Sequence, residues 1–184
     1  MRQAHILAAV GVLAIGLCVA LPTAHAEETA VAKEGEKAPE FKLKGSDGKE
    51  YSLKQFAGKQ AVVIAWFPKA FTGGCTKECK SMRENGEKIR AFDVAYFTAS
   101  VDEVEKNTDF AKSLMLDYPI LSDPGKEVAK AYGVVHEGRE VPERWTFYID
   151  KEGVIKAIDK KVATETHGDD IAKKLAELGV AKKK

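Results

Sequence analysis

The sequence predicts a layered α/β domain built on a mixed sheet, and three observations carry that prediction. Two short runs, Ala61 to Phe67 and Val94 to Ser100, are almost continuously apolar, as strands buried on both faces of a sheet must be. Stretches with helical spacing alternate with them, which argues for helices layered against the sheet. Near the end, Trp145 to Asp150 and Val154 to Ile158 flank Lys151-Glu152-Gly153, a tight hairpin that adds antiparallel pairing.

The elements follow in chain order. Glu27 to Pro39 is polar and reads as a flexible lead-in. Phe41-Lys42-Leu43 and Tyr51-Ser52-Leu53 alternate around Gly45-Ser46-Asp47-Gly48, the signal of an N-terminal hairpin. After the first buried strand comes a Gly-containing loop, and a helix is expected from Cys75 to about Arg90. Val104 to Met115 carries apolar residues at 104, 111, 114 and 115, a second helix. Tyr118 to Leu121 is a short strand stopped by Ser122-Asp123-Pro124-Gly125, and Lys126 to Tyr132 a short helix ended at Gly133, a position suited to a left-handed cap. Val134 to Glu143 is a polar loop with room for a small hairpin. Asp169 to Leu178, with Ile171, Leu175 and Leu178 on one face, closes a domain placed at 40–179, and 180–184 is a basic tail.

The front of the chain has a different character. Arg2 gives a positive start, Ile6 to Leu21 is apolar, and Ala24-His25-Ala26 is a small-x-small site before Glu27-Glu28. This pattern predicts a signal peptide over 1–26, cleaved after Ala26. The apolar run is 16 residues long and broken by Gly11 and Gly16, whereas a membrane-spanning helix wants about 20. Export, with the periplasm as destination, is therefore expected, with no stable membrane association after cleavage. Cys18 lies in the apolar run behind Leu17, too large for a lipoprotein site, and would leave with the signal. Cleavage removes one Arg and no acid, leaving 28 basic and 28 acidic residues. A balanced charge gives no reason to expect nucleic-acid or anionic-lipid binding, and Lys182-Lys183-Lys184 reads as a solvated end.

The remaining thiols are Cys75 and Cys79. Cys75 is predicted at a helix N-terminus, where free N–H groups and the helix dipole favour negative charge. A cysteine so placed is expected to be largely thiolate, the nucleophilic form. A chain of this size builds a core without staples, so the two thiols point to chemistry, although an exporting compartment also permits a structural disulfide.

The arrangement resembles the thioredoxin-like fold, and its motifs resemble the peroxiredoxins. The family's proline, three residues, threonine, two residues, cysteine is met by Pro68, Thr72 and Cys75. Phe67 to Glu78, Leu121-Ser122-Asp123-Pro124 and Arg144 to Asp150 are similar to the Q-type subfamily, also called bacterioferritin comigratory protein, and the similarity runs from about Glu36 to Leu178. The resemblance implies a thiol peroxidase that reduces hydrogen peroxide and organic hydroperoxides without metal, haem or flavin. It implies a thioredoxin-like reductant as partner, and a monomer or homodimer. Cys75 would be the peroxidatic nucleophile, Thr72 and the Cys75 N–H would hold the peroxide, and Pro68 would shield the sulfur. Arg144 would supply fixed positive charge. Glu78 is a candidate buttress for an arginine, while Trp66 and Trp145 read as core or pocket wall.

One departure matters. The Q-type resolving cysteine often follows the peroxidatic one with four residues between; here Lys80 stands at that place and Cys79 one earlier. Residues four apart on a helix have Cβ atoms about 5–6 Å apart, and a disulfide wants about 3.5–4.5 Å. Resolution by Cys79 as an intramolecular disulfide is thus expected only with local unwinding. The same Cys-x3-Cys spacing with a distant histidine, His136, resembles the exported Sco copper chaperones, since thiolates and imidazole suit Cu(I). A thiol–disulfide oxidoreductase is the third reading of the pair.

Overall fold

The computed structural model describes residues 31–183, so the predicted signal segment lies outside the described residues. Seven strands form one sheet: β1 (Lys42–Gly45), β2 (Glu50–Ser52), β3 (Ala61–Trp66), β4 (Val94–Ser100), β5 (Ile120–Ser122), β6 (Thr146–Ile149) and β7 (Ile155–Asp159). Their order across the sheet is β2-β1-β5-β4-β3-β6-β7. β4 lies parallel to β3 and to β5, while the two outer hairpins pair antiparallel, so the sheet is mixed, as the sequence predicts. Five helices complete the domain: α1 (Gly73–Glu84), α2 (Gly86–Arg90), α3 (Val104–Ser113), α4 (Glu127–Ala131) and α5 (His167–Glu177).

β3 explains why a continuously apolar run is needed at the centre. Side chains alternate across a strand. Val62, Ile64 and Trp66 enter one core with Phe97, Tyr132 and Phe147. Ala61, Val63 and Ala65 enter the other with Met82, Ile89, Ile171 and Leu175, which come from α1, α2 and α5. A third cluster, around Phe67, Cys75, Cys79, Phe110 and Ile120, sits between α1 and α3 beside the carboxyl end of β3. That end is where the two thiols are held.

Three predicted boundaries move for physical reasons. The helix expected from Cys75 to Arg90 begins two residues earlier and breaks at Asn85. Asn85 Nδ2 donates to the Ser81 carbonyl at 3.0 Å, a side-chain claim on the backbone that competes with helix continuation, and Gly86 follows. Residues 31–39 are not a free lead-in. Ala32 N–H donates to Ala131 O at 3.0 Å, Ala38 N–H to Gly153 O at 2.9 Å, and Tyr132 Oη to Pro39 O at 2.9 Å. Backbone pairing docks this segment, and a polar composition does not reveal it. Finally, α5 starts at His167 instead of Asp169.

Gly168 shows why α5 starts where it does. A Cβ placed there would lie 2.3 Å from the Ser81 carbonyl and 2.9 Å from Met82 Cα. The first turn of α5 therefore approaches α1 backbone to backbone, and Gly168 N–H donates to Ser81 Oγ at 3.1 Å. Gly168→Ala would gain up to about 1 kcal/mol in helix propensity. Because the clash is with backbone, the loss should dominate, and we expect a net destabilisation of about 1–3 kcal/mol. A lower urea midpoint at unchanged slope would register it; a raised midpoint would contradict the close approach.

Candidate active site

The loop from Phe67 to Thr72 carries the chain from β3 into α1. Its start prolongs the sheet, with Phe67 N–H donating to Ala99 O at 2.9 Å. Its middle is tied down by Asp102, whose Oδ2 accepts Ala70 N–H at 2.8 Å and the Ser100 hydroxyl at 3.2 Å. Phe71 then adopts φ 64°, the left-handed region that a bulky side chain avoids. Thr72, with extended backbone, is the N-cap of α1, which makes Cys75 the third helical residue. Pro68 is half-buried on this loop and Thr72 is exposed. The Thr72 hydroxyl donates to Lys69 O at 2.9 Å, so its proton is engaged by the loop while its lone pairs stay available.

Cys75 is 1% exposed and Cys79 fully buried; both are free thiols. Arg144 reaches the first of them from just ahead of β6. β6 runs antiparallel to β3 with Thr146 opposite Ala65, and Trp66 N–H to Trp145 O at 2.9 Å carries the pairing one residue further. That places Arg144 beside the loop. Its Nη2 donates to Cys75 Sγ at 3.4 Å, and its Nη1 to Glu78 Oε2. Gly74 leaves the necessary room, since a Cβ there would stand 3.3 Å from Nη2. Burial works against the charge on Arg144, but Glu78 and the Cys75 sulfur more than offset it and raise its pKa. The cation is secure at any working pH.

Glu78, three residues after Cys75 and so on the same helix face, has no exposed surface. A buried carboxylate needs donors on both oxygens. Arg144 serves one, and His167 Nδ1 lies 3.1 Å from the other. His167, 1% exposed, touches Thr146 Oγ1 through Nε2 at 2.8 Å. The predicted pair Cys75 and Arg144 is thus brought together, with Glu78 as the buttress. His167 and Asp102 are additions that the sequence reading missed; the only signal was the His-Gly step at a helix start. Trp66 is fully buried in the core, and Trp145 is half-buried under Lys160, whose Nζ stands 4.0 Å from the ring centroid.

Cys79 sits one turn below Cys75 in the same cluster. Burial, then the charge of Glu78, push its thiol far above the usual cysteine range. Tyr118 Oη donates to its carbonyl at 3.0 Å. Among the described residues no group of three His, Cys, Asp or Glu side chains is arranged to hold a metal ion. His136 is half-exposed, and its Nε2 stands 3.5 Å from Glu143 Oε1 instead of completing a site with Cys75 and Cys79. The copper-chaperone reading is therefore not favoured.

Comparison with known proteins agrees with this geometry. Residues 34–158 match the AhpC/TSA family. Peroxiredoxin Q of Populus jackii chloroplasts is 35% identical over 147 residues, covering 79% of this chain and 68% of the relative. Peroxiredoxin Bcp of Escherichia coli is 32% identical over 151 residues, covering 79% of this chain and 96% of the relative. Among solved structures, peroxidoxin BcpB of Mycobacterium tuberculosis superposes with a TM-score of 0.72 at 27% identity, over 80% of this chain and 98% of that one. A cysteine variant of Xylella fastidiosa PrxQ reaches 0.75 at 20% identity, over 82% and 99%, which bears out the thioredoxin-like fold. The chain therefore belongs to the AhpC/TSA family, as a peroxiredoxin thiol peroxidase similar to the Q and Bcp types.

Proposed function

We propose that the chain is an exported thiol peroxidase in which Cys75 reduces hydrogen peroxide and organic hydroperoxides and Cys79 resolves the product. The observation that carries this is one guanidinium shared between the Cys75 sulfur and a buried carboxylate. The Cys75 thiolate attacks the outer oxygen of the peroxide; the S–O bond forms, the O–O bond breaks, and the leaving alkoxide or hydroxide takes a proton. Arg144 lies where that negative charge develops, and the N–H groups of the first turn of α1 face the same space. Thr72 supplies a hydroxyl at the mouth, and Pro68 limits water. Cys75 is left as sulfenic acid, the first rung of thiol oxidation.

In the second step the Cys79 sulfur attacks the Cys75 sulfenic acid, a disulfide forms and water leaves. A buried, protonated thiol is a poor nucleophile, so the first turn of α1 must loosen before Cys79 can act. The positive φ of Phe71 and the Gly73-Gly74 pair sit at that turn. A thioredoxin-like dithiol returns both cysteines to thiols with two electrons. Export rests on Arg2, the apolar Ile6 to Leu21 and Ala24-His25-Ala26. After one equivalent of peroxide, mass spectrometry is expected to find a Cys75–Cys79 bond in the native protein. Cys79→Ser should instead accumulate sulfenic acid at Cys75 and stop after one turnover with a dithiol protein reductant. Sulfenic acid persisting at Cys75 in the native protein would sink the resolving role while leaving the peroxidatic one.

A further inference from the structure

The buried histidine has no part in the steps above. His167 comes from the first turn of α5, Glu78 from α1, and Thr146 from β6, so three elements converge on one imidazole. Neither Glu78 Oε1 nor His167 Nδ1 has a well-aligned hydrogen bond among the described residues, yet they stand 3.1 Å apart. Each is the other's partner, and the proton on the ring decides how strongly. Gly168 and its bond to Ser81 Oγ fix the ring's height against α1.

We propose that His167 is a positioning residue of the peroxidase site: its imidazole holds the inner oxygen of Glu78, coupling the ring's protonation to charge on the Cys75 sulfur through Arg144. The coupling follows from counting buried charge, and rests on Cys75 being the nucleophile. With Cys75 as thiolate, Glu78 as carboxylate and Arg144 as cation, the cluster carries one net negative charge, which burial penalises. An imidazolium neutralises it. Once Cys75 is sulfenic acid, the same cluster is neutral with a neutral ring.

The pocket serves both forms of the ring. Thr146 Oγ1, 2.8 Å from Nε2, can donate to the neutral ring or accept from the charged one. The N-terminus of α5 disfavours positive charge on the ring, and negative charge on the sulfur favours it. Other charges on the surrounding elements are engaged elsewhere. Lys77 pairs with Glu165 at 2.8 Å, Lys88 with Asp169 at 2.7 Å, and Thr166 Oγ1 donates to Asp170 at 2.6 Å. Asp159, opposite Thr146 in the sheet, accepts Lys161 N–H at 2.8 Å. Cys79, neutral and buried beside Glu78, adds no charge.

The test is alkylation of Cys75 by iodoacetamide as a function of pH, read by peptide mapping, in native protein, His167→Asn and His167→Leu. Thermal midpoints report folding separately. The Asn amide can stand where Nδ1 stands but does not titrate, whereas Leu removes both donor and charge. Losing the imidazolium makes the thiolate harder to form, so both profiles should move to higher pH. We expect about one pH unit for Leu and about half that for Asn, with Cys75 oxidation by peroxide at neutral pH slowed about tenfold in Leu.

Profiles that superimpose on native protein overturn the proposal. So does an Asn profile that superimposes on native protein while that of Leu is displaced, which would leave the ring's protonation no role. If Leu fails to fold, the comparison of Asn with native protein still decides. A native Cys75 that alkylates normally yet ignores peroxide would overturn the peroxidase reading and leave the His167 result standing.

Discussion

Replacing Cys75 by serine is expected to bring peroxide consumption to the uncatalysed background while leaving the protein folded. The loss is chemical. A serine hydroxyl stays protonated at any working pH and is a weak nucleophile without an adjacent base, and the group that bonds the sulfur is a guanidinium, which cannot accept a proton. The fold should survive. Burying an unpaired hydroxyl costs about 1–3 kcal/mol, but Arg144 Nη2 is already placed to donate to the new oxygen. A dithiol-coupled peroxide assay on native and variant protein, with a Cu(I) titration alongside, makes the comparison. Turnover lost with Cys75 and no tight copper binding supports a peroxidase. Tight one-to-one copper binding that needs His136, with negligible turnover, would reverse the assignment.

What the sequence disclosed and what it hid divide along the range of the interactions involved. β3 and β4 were legible because two-sided burial writes itself into consecutive residues, and the β6–β7 hairpin because Lys151-Glu152-Gly153 marks its turn. Cys75 and Arg144 were legible through family resemblance, and the position of Cys75 at a helix start could also be reasoned locally. Glu78 was legible as a candidate buttress for an arginine, but not its complete burial, which sets Arg144 on one carboxylate oxygen and His167 Nδ1 3.1 Å from the other. His167 was hidden because its meaning depends on α5 approaching α1 over Gly168, a contact between segments 87 residues apart in sequence. The docked segment 31–39 was hidden for a related reason. Much of its pairing runs through backbone groups, which side-chain composition does not encode.

Arg144→Ala should damage both stability and rate, and the two can be separated. Arg144 satisfies a carboxylate with no exposed surface. Removing one partner of a buried pair costs about 3–5 kcal/mol because the other charge is left unpaired. His167 Nδ1 stands 3.1 Å from the opposite oxygen, which places the expected loss toward the lower end of that range. The rate effect is distinct: losing a fixed donor where charge develops costs about a hundred- to a thousandfold in turnover. Arg144→Lys keeps a charge, but a single ammonium cannot fork between Cys75 Sγ and Glu78 Oε2 as the guanidinium does. Its stability and rate should fall between native and Ala. The deciding variant is the double change Arg144→Ala with Glu78→Gln. Making the stranded carboxylate neutral should return part of the lost stability, so the two stability changes will be less than additive. The rate should not return, because no cation faces the sulfur. Denaturant melts and single-turnover oxidation of Cys75, each on folded protein, give both quantities. Recovery of rate together with stability would mean that Arg144 acts only through the fold, and its place beside the sulfur would lose its catalytic meaning.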